Sequence, residues 1–118
     1  MPVIKVWCLP PSDEQKLNQL HQAIVRAVAS IPELNVTNEK DITCLFPSDL
    51  MQYGLGTEII VEISGLYKKP ERTDEVRAQL AERVGQAVQQ EYPDTELVEC
   101  FVYSFEPSQG FWSSRSEC

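Results

Sequence analysis

A strand–helix–strand pattern that occurs twice constrains this chain more than any other feature. Residues 2–9 read as a strand, with Ile4, Val6 and Cys8 on one face and Val3, Lys5, Trp7 and Leu9 on the other. Pro10-Pro11 ends it. Ser12-Asp13-Glu14-Gln15 has the form of a capping box with Ser12 as the cap. The helix that follows carries Leu17, Leu20, Ala23, Ile24, Ala27, Val28 and Ile31 on one stripe and ends near Pro32. Residues 41–46 read as a second strand, stopped by Pro47-Ser48-Asp49. Tyr53-Gly54-Leu55-Gly56-Thr57 reads as a turn, and residues 59–63 as a third strand.

The plan then repeats. Residues 65–70 read as a loop, and Thr73-Asp74-Glu75 opens a helix with Val76, Leu80, Val84, Ala87 and Val88 as its stripe. Pro93-Asp94 ends it, and residues 97–105 form a fourth strand. Pro11-Ser12-Asp13-Glu14 aligns with Arg72-Thr73-Asp74-Glu75 at a shift of 61 residues. Gln19-Leu20 aligns with Gln79-Leu80, and Ala27-Val28 with Ala87-Val88, at a shift of 60. Two βαβ units of this kind predict an α+β (α/β) fold: a four-stranded mixed sheet with both helices on one face. We expect one domain over residues 1–118, built from pseudo-repeats 2–58 and 59–112, with a C-terminal tail over 106–118.

That arrangement leaves one sheet face without a helix, and Val3, Trp7, Leu9 and Phe101 fall on it. An apolar face of that size predicts self-association with cyclic symmetry.

Charge narrows the partners. The net charge is -8, the wrong sign for a nucleic-acid footprint. Five of the ten cations (Lys68, Lys69, Arg72, Arg77 and Arg83) nevertheless fall within sixteen positions, which suits a small anion. No run of about 18 apolar residues is present, so no membrane helix is expected. The start, Val3-Ile4-Lys5-Val6, has no secretory character, and a cytoplasmic location follows as the expectation. Cys8, Cys44, Cys100 and Cys118 form no Cys-x-x-Cys pair, and His21 adds no cluster, so neither zinc nor dithiol chemistry is indicated.

Met1-Pro2 leading directly into a strand is the remaining signal. With Ser12-Asp13-Glu14-Gln15-Lys16 and Tyr53-Gly54-Leu55-Gly56-Thr57-Glu58 it resembles 4-oxalocrotonate tautomerase. The doubled length, Pro47, Leu50-Met51 and Gly54 resemble macrophage migration inhibitory factor, and malonate semialdehyde decarboxylase is another member of this length. Gly65-Leu66 followed by Lys68 and Arg72 resembles the cis-3-chloroacrylic acid dehalogenases. All are tautomerase-superfamily members, and the resemblance spans residues 1 to 112.

It implies a homotrimer, no cofactor, a small anionic organic substrate, and an isomerase in which Pro2, freed by loss of Met1, is the general base. By the same resemblance Arg72 and Lys68 bind substrate, Tyr53 is an aromatic wall of the site, and Tyr103 polarises a bound group or water. Glu62 and Glu106 are weaker candidates for activating water. A hydratase or dehalogenase activity, or a non-catalytic trimeric binding protein, are the alternatives on the same fold. The chain also departs from the pattern. Pro11 stands where the short tautomerases carry their first arginine, and no arginine lies near Ile42-Thr43. Lys40 is several residues from the lysine position of macrophage migration inhibitory factor.

Overall fold

The computed structural model describes residues 2–36, 39–48, 50 and 58–114. The glycine turn that contains Tyr53 lies outside them. Strands β1 (Val3–Trp7) and β2 (Thr43–Leu45) flank helix α1 (Glu14–Ala29). Strands β3 (Glu58–Tyr67) and β4 (Leu97–Phe105) flank helix α2 (Asp74–Glu91). The sheet order is β2-β1-β3-β4. Each helix joins a parallel pair, β1 with β2 and β3 with β4, and the two units meet antiparallel along β1 and β3.

Alternation decides which face each strand presents. Ile4, Val6, Ile59, Val61, Ile63 and Leu66 are buried, and they share one core with Leu20, Ile24 and Val28 of α1 and Leu80, Val84 and Val88 of α2. Fully burying such a side chain contributes about 1.5–3 kcal/mol, more than the ~1 kcal/mol of a helix cap. Packing therefore sets where the helices lie, and capping only trims their ends.

The α1 cap is Asp13, whose carboxylate accepts from Lys16 N at 2.8 Å, and not Ser12 as the capping-box pattern suggests. Ser12 has been claimed elsewhere. Its hydroxyl donates to the Pro10 carbonyl at 2.8 Å, and the buried Tyr92 hydroxyl donates to it at 2.8 Å. Thr73 caps α2, accepting from Val76 N at 3.2 Å. The two caps are thus 60 residues apart, and the odd residue in the sequence alignment disappears. Arg72 becomes the counterpart of Ser12, not of Pro11.

Three strand boundaries differ from expectation. β1 stops at Trp7, because Cys8 turns the chain at φ 69°. Leu9 consequently packs against the core instead of standing on the open face. β2 is shorter than residues 41–46, since a 3-10 turn occupies Glu39–Asp41. β3 runs on to Tyr67 where a loop was expected: Gly65 takes φ 77°, the ladder slips between Ile63 and Leu66, and Leu66 and Tyr67 pair with Ser104 and Phe105. Pairing with the long β4 supplies the backbone hydrogen bonds that the local Gly-Leu-Tyr-Lys-Lys sequence does not advertise.

The open face is mixed in character. Lys5 sits opposite Glu62, and Glu62 opposite Phe101. The Trp7 indole donates to Glu62 Oε1 at 2.8 Å. Leu45, Leu97, Phe101 and Tyr103 remain 44–49% exposed on it.

Candidate active site

Topology places Pro2, Lys68, Arg72 and Tyr103 towards one end of the sheet. β1 begins there, β3 and β4 end there. Pro2 is buried, and its carbonyl accepts from Thr43 N at 3.0 Å, which ties it to β2. Val3 pairs with Ser64, so Pro2 stands one step further along, level with the Gly65 bulge. Tyr67 overhangs that level by two residues, about 7 Å along the strand. Lys68 continues the ladder, its N–H donating to the Phe105 carbonyl at 3.0 Å. The Lys68 and Lys69 side chains are exposed.

Arg72 closes the loop after β3. Its N–H donates to the Lys69 carbonyl at 3.0 Å, and its Nη1 reaches back to the Tyr67 carbonyl at 2.9 Å. Its own carbonyl accepts from Arg77 Nη1 at 2.6 Å, while Arg77 is also paired with Asp74. These bonds use Nη1 and leave the opposite edge of the guanidinium, Nε with Nη2. Nε is buried and has no acceptor among the described residues. An orphaned donor of this kind costs about 1–3 kcal/mol. The Nε–Nη2 edge is one of the two forks by which arginine grips a carboxylate with two parallel bonds. Relief of that cost would need an acceptor brought to Nε, which the present side-chain conformation buries.

Tyr103 is on the open face of β4, 49% exposed, one residue short of the Leu66–Ser104 pair. It is not in the loop with Lys68 and Arg72, but it lies towards the same end of the sheet. Tyr53 falls outside the described residues. Of the weaker candidates, Glu62 is engaged by Trp7 on the open face and Glu106 follows β4. His21 lies on α1, on the wall of a groove of about 900 Å³ that Asp13, Leu17, Cys44 and Phe46 also line.

Two features were not legible from motifs. Tyr67 supplies the carbonyl that orients Arg72, and Arg77 holds the Arg72 backbone. Their only sequence signal is proximity to Arg72. Among the described residues no group of three or more His, Cys, Asp or Glu side chains is placed to hold a metal ion. No described helix is long and apolar enough to cross a membrane.

No protein-family model matches the sequence, and no curated protein matches it. Solved structures do. The native fused 4-OT (4-oxalocrotonate tautomerase) superposes with a TM-score of 0.72 at 11% identity, covering 96% of this chain and 94% of that one. Fused 4-OT is also known as a symmetric trimer. A malonate semialdehyde decarboxylase, with decarboxylase and hydratase activities, gives 0.61 at 14% identity over 98% of this chain and 94% of its own. A member of the cis-3-chloroacrylic acid dehalogenase family gives 0.68 at 14% identity over 96% of this chain and 81% of its own. At identities this low the likeness speaks for the fold, and the fold of this chain is that of the tautomerase superfamily.

Proposed function

We propose that this protein is a cofactor-independent tautomerase, an isomerase that uses Pro2 as general base on small carboxylated enols or α-keto acids and works as a homotrimer. The observation that carries the reading is the buried Nε of Arg72, without an acceptor among the described residues, at the sheet end where Pro2 precedes β1.

The chemistry follows from those two groups. Once Met1 is removed, Pro2 presents a secondary amine with no side-chain rotamer entropy to lose. An α-amino group titrates near pH ~8, and burial beside cations disfavours its protonated form. It is then a competent base near neutral pH. Arg72 grips the substrate carboxylate through the Nε–Nη2 edge, with a turn of the side chain to uncover Nε. Lys68 adds a second positive charge on the same loop. Pro2 nitrogen takes the hydroxyl proton of the enol, the O–H electron pair becomes the carbonyl, and the same proton is returned to carbon. The negative charge that develops along the enolate is stabilised by Arg72 and Lys68. Tyr103, presented on the open face, serves the site formed with a neighbouring copy or polarises a water. With such a water the same machinery would hydrate an activated double bond, and the decarboxylase neighbour with its hydratase activity supports keeping that as the second reading.

The test is enol–keto conversion of phenylpyruvate by the wild type and by Pro2→Ala, with intact mass recorded for both. The expected result is a chain lacking Met1 and a loss of about 10²–10⁴ in kcat/KM on substitution. Equal rates, or an active chain that retains Met1, would sink the proposal.

A further inference from the structure

Three aromatic rings from three segments meet at the same end of the sheet. Tyr67 closes β3, Phe105 closes β4, and Phe111 arrives from the tail. The centroids lie 5.1 Å apart for Tyr67–Phe105, 5.6 Å for Tyr67–Phe111 and 5.4 Å for Phe105–Phe111, with tilted or edge-on planes. Those separations and angles are the favourable ones for aromatic pairs. The tail is built to return there. Pro107 opens a 3-10 turn over Pro107–Gln109, and Gly110 follows at φ 136°. A Cβ at Gly110 would meet nothing within 4 Å, so glycine is required there by the backbone conformation and not by space.

What the cluster holds is the candidate binding loop. The Phe105 carbonyl accepts the Lys68 N–H at 3.0 Å, and the Tyr67 carbonyl accepts Arg72 Nη1 at 2.9 Å. Phe111 thus packs on both residues whose carbonyls fasten the loop. Residues 68–71 are all exposed, so apart from the Arg72 N–H bond to the Lys69 carbonyl and the Arg77 bond to the Arg72 carbonyl, these two carbonyls are what ties the loop to the sheet. Phe111 itself is 41% exposed, so its packing is not a demand of the core.

We propose that Phe111 is a positioning residue: by clamping Tyr67 and Phe105 it fixes the loop 68–72 so that Arg72 meets the substrate carboxylate. This rests on Arg72 being the carboxylate-binding residue, and the experiment separates the two ideas.

Full-length Phe111→Ala, Phe111→Leu and Trp112→Ala are compared with the wild type. Amide hydrogen exchange, resolved by residue, is read alongside KM and kcat for phenylpyruvate tautomerisation. Phe111→Ala is expected to speed exchange at Lys68 and Arg72 and to raise KM, each by about tenfold, the scale of losing two ring contacts. Expected kcat stays within about twofold, because the ring touches no reacting atom, and α2 exchange stays unchanged. Phe111→Leu falls between. Trp112, 84% exposed, behaves as wild type on substitution. Unchanged exchange at Lys68 and Arg72 in Phe111→Ala overturns the clamp, as does an equal effect of Trp112→Ala. Faster exchange with unchanged KM overturns the positioning of Arg72. If the wild type has no turnover the enzymatic reading fails, and the exchange arm still decides whether Phe111 holds the loop.

Discussion

Replacing Arg72 with methionine is expected to separate function from stability. Among the described residues arginine at this position makes one side-chain bond, Nη1 to the Tyr67 carbonyl at 2.9 Å, and leaves Nε buried without an acceptor. A bond from a charged donor contributes about 1.5–3 kcal/mol, and an orphaned buried donor costs about 1–3 kcal/mol. Methionine removes both and keeps most of the aliphatic stem. The bond between Arg77 and the residue 72 carbonyl is to backbone and survives. The opposing contributions cancel to within about 1 kcal/mol, which for a chain of this size is a melting shift of roughly 5 °C or less. Substrate binding has no such compensation. Losing a bidentate charge-assisted pair costs about 3 kcal/mol, or roughly a hundredfold in kcat/KM for a carboxylated enol. The assay pairs calorimetric melting with steady-state kinetics. Destabilisation by more than about 3 kcal/mol would mean that Arg72 is chiefly structural. An unchanged kcat/KM would mean that the free fork faces no substrate.

Two further outcomes follow from the sheet faces. Phe101→Glu places a second carboxylate opposite Glu62 on the open face. If that face is buried between copies, two desolvated like charges dissociate the assembly, and sedimentation is expected to show monomer; an intact oligomer would move the interface elsewhere. On the helix side, burial pushes the Cys44 and Cys100 thiols up to about 12 from an ordinary 9. Only about one in ten thousand is thiolate at pH 8, so native alkylation by iodoacetamide is expected to be slower than in the unfolded chain by about a thousandfold. Because the folded values are raised, the stabilisation from keeping these thiols neutral is complete below pH 9 and is lost progressively as pH rises towards 12. Alkylation of both at the unfolded rate, or stability rising between pH 9 and 11, would contradict the burial.

The alternation in β1 and β3, the two helical stripes and the offset near 60 residues sufficed for a mixed four-stranded sheet with both helices on one face. Those signals are local and periodic, and a residue's face follows from its place in the period. Pro2 was legible for the same reason: its position at the start of a strand is a fact of the sequence. Tertiary structure decided the rest wherever two partners competed for one group. Asp13 and Ser12 are both able to cap α1, and the choice fell to Asp13 because Ser12 bonds Tyr92, a residue 80 positions away. Gly65-Leu66-Tyr67 looks like a loop until β4 offers a ladder. Leu9 moved to the core because Cys8 turned the chain. At the candidate site, composition supplied an arginine, but its orientation came from the Tyr67 carbonyl, a partner that no motif marks. Periodicity records which way a side chain faces, whereas the partner it meets across the chain is chosen only when the elements pack.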